Sequence, residues 1–205
     1  NYYKNIDDFY LNFYKILNKN LNNFFNQKRN KIKSIKLKSP YYSLEDIKFR
    51  LVRDDFLTLE EYENTMNLMM NEKNFVPYEY YSKLFFNKDD LVKLDKLGHL
   101  IGLHSHSHPT LLDTLKYQQQ KNEYERSLSI ISKILNKPKD SIKFMSHPCG
   151  SYNADTLKIL NEIGIELGFK QIMSIEPEKG MKKINNSFLE IAREDHAQIL
   201  KRMFK

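Results

Sequence analysis

Short apolar segments that end in histidine or acidic residues constrain the fold of this chain most. The segments cover residues 47–53, 100–103, 142–145 and 188–192, and residues 83–86 are a further candidate strand. Helical periodicity elsewhere predicts helices over residues 6–25 and 59–72 and a long helix over residues 117–135. Strands that alternate with helices predict an α/β fold with a parallel sheet. Because parallel strands end at one edge, where α/β barrels build their sites, we expect the following polar residues to share a rim. These are Asp54, Asp55, His104, His106, His108, His147 and Asp195.

The histidine cluster that follows residues 100–103 is the strongest local signal for chemistry. His104 and His108 share a side whether the segment is helical, at spacing i and i+4, or extended. His106 joins them only in the extended case. Two histidines and one carboxylate leave a position open for water, which is the pattern of a catalytic zinc site. The spacing therefore predicts a divalent metal site, with a solvated turn as the alternative.

Asp54 and Asp55 are adjacent carboxylates at the end of a predicted buried strand. Burying two neighbouring carboxylates is costly unless a cation or hydrogen bonds compensate them. Successive side chains diverge, so one carboxylate can bind a metal while its neighbour faces the substrate. The alternative is an exposed pair that begins the next loop.

The two later strand ends carry further candidates. The turn Pro148-Cys149-Gly150 exposes backbone N–H groups that can stabilise an oxyanion, whereas Cys149 itself is not expected to be a nucleophile. Arg193 can hold Asp54 or bind an acidic group of the substrate through its planar guanidinium, or form a surface salt bridge. His196 is a candidate general acid.

These motifs together resemble the NodB-homology polysaccharide deacetylases, a family of carbohydrate esterases, over about residues 47–196. The first family motif ends a strand with Asp-Asp, as at Asp54-Asp55. The second is matched by the segment from Gly98 to Pro109, which includes His104 and His108. The third resembles the turn from Phe144 to Tyr152, although the arginine usual there is missing, and the tryptophan of the fourth is absent because the chain has no Trp.

The resemblance implies a distorted, incomplete (β/α) barrel that holds one divalent metal ion, commonly Zn²⁺. By position it implies Asp55, His104 and His108 as metal ligands and Asp54 as general base. The backbone amide of Cys149 would then fall in the oxyanion hole. The candidate substrate-binding residues around this centre are His106, His147, Tyr152 and Asp195.

The net charge of +7 lies entirely in residues 1–43, which hold nine basic and two acidic residues. We expect this stretch to form a basic helical extension and linker, with the catalytic domain at residues 44–205. Its basic part, residues 26–40, is either a solvated linker or a contact for an anionic carrier such as a nucleotide or lipid phosphate. Nucleic-acid binding is not expected, because no aromatic residue interrupts the basic run.

The sequence as a whole indicates a folded enzyme. Its hydrophobic content of 40% excludes a disordered chain, and its single cysteine excludes an internal disulfide. No run of 18 apolar residues and no signal peptide is visible, so we expect a cytoplasmic rather than an exported protein. The chain begins with Asn1, so we also expect a trimmed N-terminus.

The expected function is metal-dependent removal of an N-acyl group, acetyl or formyl, from an amino sugar in surface-glycan metabolism. The substrate could be a polymer, a lipid-linked glycan or a nucleotide sugar. The alternatives are a non-catalytic, metal-containing protein of the same fold that binds sugars or acts as a scaffold, and a protein that binds anionic polymers through residues 26–40.

Overall fold

The computed structural model describes residues 2–39, 41–171, 187–193, 199 and 203. The chain forms two compact units, Asn1–Leu84 and Phe85–Lys205. The predicted division of function at residue 44 stays a prediction, since compactness does not test it. No helix in the described ranges combines the length and the apolar character needed to cross a membrane.

The described part of the first unit is helical. Its helices are α1 (Ile6–Leu17), α2 (Asn22–Gln27), α3 (Arg29–Lys38), α4 (Leu44–Asp55), α5 (Leu59–Glu72) and α6 (Tyr81–Leu84). Phe13, Ile47 and Val52 are fully buried in an aromatic-rich core between these helices. The predicted single helix over residues 6–25 is wrong, because Asn18 adopts a left-handed conformation that ends α1.

The strand predicted at residues 47–53 is also wrong, because this segment belongs to helix α4. Ser43 caps the helix by accepting a hydrogen bond from the backbone N–H of Asp46, and acidic residues in the first turn complement the helix dipole. Asp54 and Asp55 therefore end a helix rather than a strand. The basic stretch predicted as a linker contains helix α3, whose Ile32 and Ile35 pack against the core.

The second unit contains the parallel sheet. Its described helices are α7 (Lys88–Lys96), α8 (Tyr117–Leu135) and α9 (Ala154–Glu162), and its strands are β1 (Phe144–Ser146), β2 (Leu167–Phe169) and β3 (Phe188–Ile191). The described strands pair in parallel in the order β1-β2-β3, and Leu103 adds a parallel bridge to Met145 of β1. The α/β class is thus confirmed for this unit, although residues 100–103 form a bridge rather than a full strand.

The sheet is packed against α8 and α9. Tyr124 of α8, Ile159 of α9 and Leu189 of β3 are fully buried in one core with Leu103 and Met145. Since all these strands run in the same direction, the residues that follow them emerge at one edge of the sheet. His104, His147 and Arg193 lie at or beyond this edge, which positions the candidate site.

Candidate active site

His104 and His108 converge on each other. Their Nε2 atoms lie 3.1 Å apart. The Nδ1 atom of His104 is 2.8 Å from the carbonyl oxygen of Ser146. Because a carbonyl oxygen only accepts, His104 donates its Nδ1 proton to Ser146, and the Nε2 atom on the other side of the ring faces His108. The structure therefore brings together the two histidines that the sequence paired.

The loop that carries these histidines is neither helical nor extended. Ser105 and His108 both have left-handed backbone conformations, with φ of 61° and 56°. The Ser105 hydroxyl accepts a hydrogen bond from the backbone N–H of His108, at 3.1 Å. This compact turn brings the rings of His104 and His108 to a centroid separation of 4.8 Å.

Glu123 of α8 holds the middle of the same loop, and the sequence analysis did not identify it. Its carboxylate accepts hydrogen bonds from the backbone N–H groups of His106 and Ser107, at 2.9 and 2.7 Å. Burial favours the protonated carboxyl, but the hydrogen bonds from Ser107 and His106 outweigh it and hold the pKa of Glu123 below its ordinary value. A contact between residues 16 positions apart leaves no periodic signal in a sequence.

His147 is buried directly after β1, with 1% of its surface exposed. Its Nε2 donates to the carbonyl oxygen of Leu189 at 2.8 Å, and its ring stacks on Tyr152 at 4.2 Å. The hydroxyl of Tyr152 donates to Glu190 at 2.8 Å. Burial lowers the pKa of His147, so this ring is held in its neutral form. His147 and Tyr152 thus form one stacked pair directly after β1.

The turn after His147 has an unusual backbone. Cys149 has φ of 51° and Gly150 has φ of 68°, so two successive residues are left-handed. Such a conformation costs roughly 1–3 kcal/mol for a residue with a side chain. The thiol of Cys149 is exposed. Successive N–H groups in a turn of this kind can form an anion-binding concavity.

The remaining described candidates are Asp54 and Asp55 at the end of α4, and Arg193 after β3. Asp54 forms a two-point ion pair with Arg53, at 2.7 and 2.9 Å. One oxygen of Asp55 accepts from Lys28 at 2.8 Å and from Lys31 at 2.7 Å. Burial alone would raise the pKa of Asp55, but the two lysines hold it below its usual value.

The end of β3 carries Arg193, whose Nε donates to the carbonyl oxygen of Lys170 at 2.8 Å. Asp195 and His196 lie outside the described residues. Among the residues that the structure describes, no group of three or more His, Cys, Asp or Glu side chains is arranged to hold a metal ion. Within the second unit, the structure therefore brings together His104 and His108 of the predicted ligand set.

The family model for polysaccharide deacetylase matches residues 54–168, which is more than half of the chain. The chain belongs to the polysaccharide deacetylase family. This membership supports a carbohydrate deacetylase activity and an acylated carbohydrate substrate. No curated protein sequence matches the chain. Among solved structures, the Streptococcus pyogenes deacetylase PplD in complex with acetate aligns with this chain at 18% identity and a TM-score of 0.47. The match covers 84% of this chain and 83% of that one.

Polysaccharide deacetylases commonly use a divalent metal, and the donor chemistry of the histidine pair fits one. Zinc–nitrogen bonds of about 2.0–2.1 Å at a tetrahedral ion separate two nitrogen ligands by about 3.3 Å. The 3.1 Å between the Nε2 atoms of His104 and His108 is close to that separation. The Ser146 carbonyl orients His104 through its other nitrogen, as the partners of metal-bound histidines usually do. Two of the three expected ligands therefore fit a metal ion.

Proposed function

We propose that this polysaccharide deacetylase family member is a metal-dependent hydrolase that removes an N-acyl group, acetyl or formyl, from an amino sugar. The observation that carries the proposal is the convergence of His104 and His108, with His104 oriented by the Ser146 carbonyl. Zinc is the first candidate ion, because two imidazoles and a carboxylate are ligands that zinc prefers. When bound, such an ion would polarise the amide carbonyl and lower the pKa of a water molecule toward about 7.

The two aspartates supply the acid–base chemistry in this proposal. By resemblance to the family, Asp55 is the third ligand and Asp54 accepts the proton of the attacking water. Asp55 would use the carboxylate oxygen that the lysines leave, or exchange Lys28 and Lys31 for the ion. Asp54 would accept the proton next to Arg53, whose guanidinium already binds both oxygens of its carboxylate.

The strand-end turn stabilises the developing negative charge in this scheme. The backbone N–H of Cys149 would donate to the oxyanion, and the paired left-handed conformations of Cys149 and Gly150 support such a role. His196 would protonate the departing amine. Arg193 would either hold Asp54 or bind an acidic group of the substrate. His106, His147, Tyr152 and Asp195 complete the proposed substrate pocket.

The sheet of the second unit fits part of an incomplete (β/α) barrel of the NodB-homology type. Leu103, β1, β2 and β3 follow one another in chain order, and all run in parallel. Helix α8 joins the Leu103 bridge to β1, and α9 joins β1 to β2. Repeated strand–helix–strand units of this kind are the building blocks of such barrels. We further propose a cytoplasmic location.

A non-catalytic protein of the same fold, which binds sugars or acts as a scaffold, is the second candidate. It is favoured by the departures from the family motifs, since the arginine usual in the third motif is missing and the chain has no tryptophan for the fourth. Substitution of Asp54 by Asn separates the two candidates. An enzyme loses turnover and keeps its metal, whereas a binding module loses nothing measurable.

The first experiment is elemental analysis of untagged protein prepared without chelators and supplied with zinc. We expect about one equivalent of metal, which the double variant His104→Ala/His108→Ala loses. His106→Ala is the matched control, because its ring lies in the same loop and outside the pair. Release of acetate and formate from N-acylated amino sugars is then measured. Equal metal content in the wild type and the double variant would overturn the site.

Helix α3 supports the proposed contact with an anionic carrier. Arg29 and Lys33 are exposed on it, and Leu37 is 84% exposed near its end. Helix α3 contains no acidic residue, so no side chain of the helix itself neutralises its positive charge. These charges would strengthen the binding of a carrier that bears phosphate, and at an anionic lipid surface each basic residue contributes about 1 kcal/mol of binding free energy.

The carrier proposal is tested with Arg29→Gln/Lys33→Gln, and Lys4→Gln/Lys15→Gln provides the same loss of charge on α1 and its N-terminal side. We expect only the first variant to weaken binding of a phosphate-bearing amino sugar, while binding of the neutral sugar is unchanged. An equal loss of affinity in both variants would show that net charge alone causes the effect, and would refute a dedicated contact at α3.

A further inference from the structure

The segment between His104 and His108 adopts a backbone that its own sequence does not favour. Ser105 and His108 are both left-handed, and neither is a glycine. A residue with a Cβ adopts this conformation at a cost in free energy, so neighbouring structure must maintain it. The relative position of the two rings depends on that backbone.

The segment is held to the second unit at two places, its start and its middle. At its start, Leu103 pairs with β1, and His104 binds the Ser146 carbonyl. In its middle, one carboxylate oxygen of Glu123 accepts hydrogen bonds from the backbone N–H groups of His106 and Ser107. The other oxygen accepts a hydrogen bond from the Ser107 hydroxyl at 2.8 Å. One carboxylate thus uses both oxygens to satisfy three donors of the loop.

The carboxylate is held on a well-packed support. Tyr124, the next residue of α8, is fully buried, and Ser127 and Leu128 one turn later are 6% and 4% exposed. Helix α8 therefore cannot move without disturbing the core of this unit. Hydrogen bonds that backbone N–H groups donate to a fixed carboxylate are charge-assisted and stronger than those between neutral groups. The hydrogen bonds to Glu123 thus attach the loop to a rigid part of the fold.

We infer that Glu123 is a positioning residue that sets the spacing of the two imidazoles and so prepares the pair to bind a metal ion. Without Glu123, residues 105–108 retain the bond between Ser105 and the N–H of His108 and the 3.1 Å contact between the two imidazoles, and neither of these ties the loop to α8. The left-handed conformations then relax, and His108 no longer stays opposite His104. This inference rests on the proposed metal-dependent function.

The test compares Glu123→Ala and Glu123→Gln with the wild type, and Glu125→Ala is the matched control. Glu125 lies on the same helix and makes only a 3.8 Å ion pair with Lys121. Zinc affinity is measured by competition with a chromogenic chelator, and the absorption spectrum of the Co²⁺-loaded protein reports ligand geometry. Amide hydrogen exchange of residues 104–108 in metal-free protein reports the loop itself.

We expect Glu123→Ala to weaken zinc affinity by roughly 10–100-fold, as loss of a partner outside the ligand shell usually does. Glu123→Gln keeps an oxygen acceptor and is expected to lose less. Glu123→Ala should also accelerate exchange at His106 and Ser107. Glu125→Ala should leave all three readouts unchanged. A residue that only stabilised the fold would lower the unfolding temperature without changing the Co²⁺ spectrum.

The outcomes separate this inference from the function on which it rests. Zinc binding by the wild type with equal affinity in Glu123→Ala would overturn the positioning role and leave the metal site intact. Unchanged exchange at His106 and Ser107 would likewise overturn it, whatever the zinc result. Failure of the wild type to bind zinc, with exchange accelerated in Glu123→Ala, would overturn the metal-dependent function although the loop contact is real.

Discussion

Substitution of Gly102 by Ala tests how the sheet delivers His104 to the site. A Cβ at Gly102 would lie 2.6 Å from the carbonyl oxygen of Phe144 and 2.9 Å from its carbonyl carbon. That oxygen also accepts the hydrogen bond from the N–H of Leu103 at 2.8 Å. The backbone must move by at least 0.4 Å to reach the 3.0 Å that real Cβ atoms keep, and the movement occurs two residues before His104.

The expected change in the free energy of unfolding follows from two opposing effects. Overpacking against fixed backbone costs roughly 1–3 kcal/mol. Replacing Gly by Ala returns about 0.4–1 kcal/mol by reducing the entropy of the unfolded chain. We therefore expect Gly102→Ala to lower the free energy of unfolding by about 1–2 kcal/mol, measured by urea denaturation. Zinc affinity should fall as well, because the displaced bridge carries His104 away from His108.

Gly98→Ala provides the control. Its added Cβ would meet nothing within 4 Å, but its φ of 87° is unfavourable for alanine. This variant should lose stability through backbone strain alone and keep its zinc affinity. Equal zinc affinity in wild type and Gly102→Ala, or an unfolding free energy within about 0.5 kcal/mol of wild type, would refute the reasoning.

Three further predictions concern single side chains. The pKa of His147 is lowered in the folded state, so the stability that its neutral ring contributes is complete above the unfolded pKa of about 6.5 and falls as the pH drops below that value. In thermal melts between pH 8 and 5, the unfolding temperature of His147→Gln should therefore decline less steeply than that of the wild type. Cys149→Ser should retain deacetylation within about threefold, since the proposed role belongs to the backbone N–H, and a loss near 10³-fold would instead indicate thiol chemistry. Asp55→Asn should lower zinc affinity at least about tenfold if Asp55 is a ligand, whereas Lys28→Gln, which removes one of its ion pairs, should not; equal affinities would exclude Asp55 from the site.

The helices that the sequence predicted well have strong signals at their ends. The helix predicted at 59–72 is confirmed, and Thr58 and Glu61 form a capping box at its start. The long helix from Tyr117 ends at Asn136, which takes the left-handed conformation that commonly follows a helix. Local chemistry of this kind is legible in a single sequence because the interacting residues are neighbours.

Helix α4 shows why periodicity alone failed. Ile47, Phe49 and Leu51 alternate as in a strand, but Ile47 and Leu51 also stand at the helical spacing i, i+4, and Phe49 and Val52 at i, i+3. All four side chains are buried against neighbouring helices, so both patterns satisfy the same apolar set. The capping serine at position 43 was the signal that could have decided the assignment. The strand predicted at residues 83–86 failed as well, because Lys83 and Leu84 belong to helix α6.

The sequence by itself predicted the convergence of His104 and His108 in the second unit. Two histidines at spacing four, placed after an apolar segment and before a proline, were enough to predict that their rings converge. Only the tertiary structure decided how this is achieved. The Ser146 carbonyl and Glu123 come from parts of the chain far from the histidines, and no pattern in a single sequence connects donors and acceptors across 42 or 16 residues. The close approach of Gly102 to Phe144 likewise depends on two strands lying side by side. Residue types fix which bonds are possible, whereas packing fixes which of them form.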